Sequence, residues 1–150
     1  MTKPLNHTDN GTPFGLWLRQ QAELDSRRYH LSIQNIDYVH HGFKLMRNSQ
    51  RVQAVMLLEE KRYLAKPDFA QIDTLKLIHQ ALQYADGQQV VNVEGESLPL
   101  HYFGYHIIQF ENTTPDDGYV LWNGECIERD ILCQVLRFKL DPRLIGQQAL

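Results

Sequence analysis

The stretch Ala54-Val55-Met56-Leu57-Leu58-Glu59-Glu60-Lys61 constrains this chain more than any other. An unbroken apolar run of this kind is too short for an ordinary buried helix and reads as a strand covered on both faces. Such a strand stops being apolar where it leaves the core, and this one stops at Glu59, Glu60 and Lys61. Side chains alternate along a strand, so Glu59 and Lys61 share one face while Glu60 points to the other. Opposite charges at that rim make either a plain salt bridge or half of a metal-dependent hydrolytic site.

The segment before it supplies the other half. Residues 31–41 (LSIQNIDYVHH) are β-branched and aromatic and read as a strand with Asp37 in its middle. A carboxylate among apolar neighbours needs a partner, because burying it alone costs several kcal/mol. Residues 42–53 read as a polar, basic connection or hairpin tip leading back into the 54–61 strand. Sequential strands usually pair, so Asp37 and Glu59 are expected on adjacent strands with both carboxylates on one face. Asn35 shares that face. His40 and His41 point to opposite sides and cannot both hold one ion.

Around this hairpin the chain alternates helix and strand. Thr12-Pro13 caps an amphipathic helix carrying Phe14, Trp17, Leu18 and Leu24 and expected to end near Asp25-Ser26. Glu23 and Asp25 read as capping or solvated acids. Pro67-Asp68 opens a second helix whose apolar positions are Phe69, Ile72, Leu75, Ile78 and Leu82, widened by Leu77 and Ala81, with Gln71 in its first turn near the end of the preceding strand. Asp86-Gly87 stops it. A short strand at 90–93, an aromatic strand at 100–110, a hairpin turned at Asn123-Gly124 and a helix over 130–138 complete the pattern. Strand, helix, strand implies a right-handed crossover.

This is the pattern of an α/β protein with a mixed central sheet flanked by helices and a C-terminal hairpin and helix. At 150 residues it is expected to be one domain over 12–150, after a flexible lead-in over 1–11. That lead-in lacks the apolar block of a secretory signal, and no run approaches the about 18 apolar residues of a membrane span, so the expectation is a cytoplasmic protein. Cys126 and Cys133 match no common zinc spacing and are expected as buried apolar thiols. Trp17 and Trp122 are expected as core or interface aromatics. The net charge of −3 does not advertise a nucleic-acid binder. Its distribution says more: residues 43–66 carry six basic side chains against two acids, while residues 86–118 carry six acids and no Lys or Arg.

Asp37, then Glu59-Glu60-Lys61 beginning twenty-two positions later, set between a first helix and a second one with an early Gln71, resembles the PD-(D/E)XK nuclease superfamily. The likeness spans about Phe14 to Ala81 and is nearest to small phage and bacterial hypothetical proteins of that superfamily, with Leu24, Ile36 and Glu59 opening the corresponding short motifs. The proline of the motif's name is absent, Asn35-Ile36 standing before Asp37, and Leu75 stands where several exonuclease branches place a Tyr. The resemblance implies a restriction-endonuclease-like fold and a Mg²⁺- or Mn²⁺-dependent nuclease acting on nucleic acid, DNA above all. It implies Asp37, Glu59 and the Glu60 backbone carbonyl as metal ligands, with Asp37, Glu59, Lys61 and Gln71 as catalytic residues.

The chemistry of these residue types agrees. Phosphodiester hydrolysis needs positive charge at the phosphate and a means of generating hydroxide, and two hard carboxylate oxygens suit Mg²⁺ or Mn²⁺. Lys61 suits a water-activating role that Arg would fill poorly, because an Arg proton does not leave. Phosphate attraction is expected from the 44–66 segment, and specificity from a homodimer or partner protein. Two other classes remain open: a nuclease-like fold kept as a silent binding or assembly module, and an interaction protein working through its aromatic C-terminal sheet.

Overall fold

The structure, a computed structural model, describes residues 6–7, 12–33, 36–148 and 150. They form two compact units, one drawn from 1–36 and 67–77, the other from 37–66 and 78–150. In all, the described residues hold a six-stranded mixed sheet, a separate two-stranded ribbon and four α-helices, an α/β architecture. None of the helices is long and apolar enough to cross a membrane.

In the first unit, β1 (Asn6–His7) pairs in parallel with β2 (Ser32–Ile33). Helix α1 (Pro13–Gln20) starts as its sequence requires, with the Thr12 hydroxyl accepting the Gly15 N–H at 3.0 Å and Pro13 where no N–H is needed. It is shorter than expected. A 3₁₀ turn (Ala22–Leu24) follows, and the Asp25 carboxylate then accepts the N–H groups of Arg27 and Arg28 at 3.0 and 2.8 Å, starting α2 (Ser26–Tyr29). Asp25 is thus a cap, which is why the first helix cannot run through it. Trp17 is half exposed and stacks on Phe14 with centroids 5.8 Å apart. Residues 69–77 of α3 (Phe69–Ala85) also belong here, and their apolar face is narrower than its periodicity implies: Leu75 is buried, whereas Phe69 and Leu77 are exposed.

The second unit is built on the sheet. Strand β3 (Tyr38–Arg47) and strand β4 (Gln50–Lys61) form a long antiparallel hairpin. The polar stretch expected as a connection is therefore mostly strand, and the turn shrinks to Asn48-Ser49, both with positive φ, the backbone that two-residue hairpins favour. Its polar character reflects an edge strand with one neighbour: Val39, Phe43 and Met46 are all exposed. β4 lies inside the sheet, antiparallel to β3 and parallel to β6 (Ser97–Phe110), which the α3 crossover makes possible. β5 (Gln89–Val91) pairs with the start of β6, and β7 (Val120–Trp122) and β8 (Glu125–Ile127) close the far edge through the expected Asn123-Gly124 turn, both residues at positive φ.

The two faces of β4 see different surroundings. Ala54, Met56 and Leu58 pack with Ile108, Phe110, Val120 and Trp122 under Leu132 and Val135 of α4 (Arg129–Leu136). The helix stops two residues early, and Phe138, at positive φ, turns back so that its ring lies 5.2 Å from that of Phe103. Tyr102 stands opposite Val55, on the other face, where its hydroxyl meets His79 Nδ1 at 2.7 Å and its N–H donates to Asp86 at 2.8 Å. Both cysteines are exposed, against expectation. Cys126 lies on the edge strand β8, and Cys133 follows buried Leu132 on α4, about 100° round the helix.

Trp122 ties the C-terminal segment to the sheet. It is fully buried, stacks on His106 with centroids 5.2 Å apart and donates its Nε1–H to the Pro142 carbonyl at 3.2 Å. His106, pushed down to about 4 by burial, stays neutral between the Phe103 carbonyl at 2.7 Å and the Asn123 side-chain amide at 2.9 Å. Truncating so large a side chain removes both packing and a hydrogen bond. Trp122→Ala is expected to cost about 3–5 kcal/mol in a urea unfolding titration; a loss below about 1 kcal/mol would show that this core reseals.

Candidate functional site

The β3–β4 register decides where the acids meet. Tyr38 stands opposite Leu58, so one residue back Asp37 stands opposite Glu59. Asp37 Oδ2 accepts the Glu60 N–H at 2.8 Å, and the Asp37 N–H reaches Glu59 Oε1 at 3.4 Å. Asp37 is not in mid-strand, as its neighbours implied: it is an exposed residue just before β3, and its carboxylate extends the hairpin's ladder beyond the last backbone pair. Asn35 lies outside the described residues.

Glu59 is fully buried, at 0% exposure. Burial first, and the Asp37 charge second, push its carboxyl up to about 7, with the Lys61 charge pulling modestly the other way. A buried carboxyl beside a second acid is electrostatically stressed, and a proton or a cation relieves it. Glu60 is on the opposite face, as alternation requires, where it accepts the Tyr38 hydroxyl at 2.8 Å and faces Arg62 at 3.7 Å. Its side chain is committed, which leaves only its backbone carbonyl for the ligand role that the resemblance implies.

Lys61 follows Glu59 by two residues on β4, on the same face and partly buried. Gln71 falls in the first turn of α3, in the other unit; its side chain is buried, and its N–H donates to Asp68 at 2.7 Å. The donor set is hard oxygen. Among the described residues no three His, Cys, Asp or Glu side chains gather into a metal-holding group. Hard carboxylate oxygens are the donor type that Mg²⁺, which keeps several waters of its own, takes in preference to zinc's sulfur and nitrogen ligands.

Tyr105 joins this face and was not singled out by sequence reasoning. Between the pairs Val55–Tyr102 and Leu57–Tyr105, β6 carries one residue more than β4, with Gly104 in the bulge at φ +92°. Without that extra residue Tyr105 would point to the α4 side. With it, Tyr105 shares the face of Leu57 and Glu59. Its hydroxyl is buried without a hydrogen-bond partner, the sole such side-chain atom among the described residues. Burial and then the Glu59 and Asp37 charges push its pKa far up, so it remains a donor. The available signal was a lone glycine inside an aromatic strand.

The expected basic segment is neutralised in part. Lys44 contacts Glu94 at 2.6 Å and Glu96 at 2.8 Å, and Arg51 faces Glu96 at 3.5 Å, so the basic and acidic stretches of the sequence fold against each other. His40 and His41 diverge as alternation requires, to the Leu136 carbonyl at 2.5 Å and the Gln53 side chain at 2.6 Å. No family model matches the chain, and no curated protein or solved structure matches it.

Glu59 yields a pH prediction. A carboxyl whose pKa rises on folding binds more protons in the folded state, so stability falls as pH climbs from about 4.5 through about 7 and levels off above. In EDTA the wild type should lose about 2–3 kcal/mol between pH 4.5 and 8 from this group, and Glu59→Gln should lack that component. Parallel pH profiles for the two proteins would rule it out. Tyr105→Phe removes an orphaned hydroxyl, so in EDTA it should leave stability unchanged or raise it by about 1 kcal/mol, read from a urea melt. A loss of 2 kcal/mol or more would reveal a partner.

Proposed function

We propose that this protein is a divalent-metal-dependent nuclease of restriction-endonuclease-like fold that hydrolyses phosphodiester bonds, DNA being the favoured substrate. The observation that carries the reading is the cross-strand pair Asp37 and Glu59, held by the Asp37–Glu60 hydrogen bond, in which burial first and the Asp37 charge second push Glu59 up to about 7. A buried carboxyl set against a second, exposed one is a liability for stability, and a fold that keeps such a pair has a use for it.

Asp37, Glu59 and the Glu60 carbonyl would hold Mg²⁺ or Mn²⁺. When bound, the ion supplies positive charge at the scissile phosphate and lowers the pKa of water. Lys61, on the Glu59 face, orients the attacking water or takes its proton, and as an ammonium offsets charge that develops on the phosphate. The buried Tyr105 hydroxyl is a donor on the same face, placed toward the carboxylates and not toward solvent. The role of Gln71 rests on the family resemblance alone.

One observation favours a second reading, a catalytically silent nuclease-like binding or assembly module. The ion pairs of Lys44 and Arg51 with Glu94 and Glu96 remove cations that a nuclease would turn toward its substrate. Plasmid incubated with Mg²⁺ separates the two. Under the first reading nicking occurs with Mg²⁺, stops in EDTA and falls at least 100-fold in Lys61→Ala; retardation of DNA without cutting supports the second. A readout free of turnover is thermal stability. At pH 8, millimolar Mg²⁺ should raise the wild-type melting temperature by a few degrees and leave Glu59→Gln unmoved. Equal shifts in both proteins would remove the ion from the carboxylate pair.

A further inference from the structure

A cleft of about 580 Å³ opens between β3 and the C-terminal end of α4, a volume ordinary for ligand sites. Arg47, Arg137 and Lys139 line it, with Leu45, Met46 and Phe138 supplying apolar surface, and none of its lining residues is an acid. Arg137 and Lys139 make no ion pair among the described residues, in contrast to Lys44 and Arg51. Arg47 is held with its guanidinium 4.7 Å from the Phe103 ring centroid and within electrostatic reach of Asp141, which preorganises it. Three cations around an apolar floor, in a chain of net charge −3, form a local exception to the molecule's electrostatics.

We propose that this cleft binds single-stranded nucleic acid, with phosphates on Arg47, Arg137 and Lys139 and a base against Leu45, Met46 and Phe138. Duplex DNA offers phosphates but keeps its bases stacked, whereas an unpaired strand presents both chemistries at once. The inference rests on the nucleic-acid part of the proposed function and goes further, keeping only Arg47 of the 44–66 segment and adding Arg137 and Lys139 from the C-terminal third. The position is suitable. His40, which also lines the cleft, stands opposite Met56 on the α4 side of the sheet and follows Asp37 by three residues, about 10 Å along the edge of the sheet. A strand lying in the cleft can therefore reach the carboxylates by passing round edge strand β3.

The test is fluorescence anisotropy of a labelled dT12 oligonucleotide in EDTA, titrated from 50 to 300 mM salt. The wild type should bind with salt-dependent affinity. Arg137→Ala/Lys139→Ala should bind at least tenfold more weakly, with the log–log salt slope reduced by about 1.4, the value for two single-strand phosphate contacts. The control Lys44→Ala/Arg51→Ala should change affinity less than threefold. Arg137, Lys139 and Arg51 are exposed and Lys44 is half-buried, and matching melting curves establish that each variant folds. Absence of wild-type binding, an unchanged affinity in the first variant, or an equal loss in the control overturns the proposal. So does poly-glutamate displacing the probe as well as unlabelled dT12 does, which would make the cleft a general polyanion site. The assay contains no divalent metal, so its failure is separate from failure of the carboxylate reading, which Mg²⁺ binding decides.

Discussion

The antiparallel register of β3 and β4 is the constraint on which the rest depends. β4 is inside the sheet, so its apolar run must serve two covered faces at once, and slipping by one residue would exchange them. Met56 and Leu58 would leave the core under α4, and Glu59 would enter it. The same register that protects the core sets Asp37 against Glu59, because the two acids lie one step beyond its last pair. Packing energy therefore brings the carboxylates together, and the hydrogen bonds from Glu60 N–H to Asp37 and from Asp37 N–H to Glu59 fix them there.

Electrostatics then divides the second unit into regions of opposite logic. At the hairpin's open end, like charges are brought together and the cost falls on Glu59, the buried member. Near the other end, Lys44 and Arg51 meet Glu94 and Glu96 at the surface, where such pairs contribute little to stability but cancel local field. Arg137 and Lys139 beside the α4 cleft, which make no ion pair among the described residues, are a remainder of this arrangement and come from a part of the chain outside the family resemblance.

The bulge at Gly104 shows how one backbone irregularity changes chemistry. One additional residue in β6 rotates everything after it by half a period, delivering Tyr105 to the acid face and His106 to the Trp122 side. His106 finds two partners in Phe103 and Asn123, whereas the Tyr105 hydroxyl finds none. Strict alternation along residues 100–110 assigns both side chains to the wrong faces, so neither role was legible without the pairing.

From the sequence by itself come the buried strand ending in acids, its hairpin with the Asp37 segment, the Thr12 cap, the second helix and its stop, and the Asn123-Gly124 turn. All are local: a two-residue period, a capping hydroxyl and a turn dipeptide act within a few positions and need no partner to be recognised. Only the tertiary structure decided that Asp37 ends a ladder instead of sitting within a strand, that residues 42–47 are an edge strand, that both cysteines are exposed, and that Lys44 is neutralised across the sheet. Those outcomes depend on which segments become neighbours over separations of 22 to 50 residues, or on which strand is left at an edge. Composition and periodicity carry no record of either, since burial and ion pairing are properties of the assembled surface.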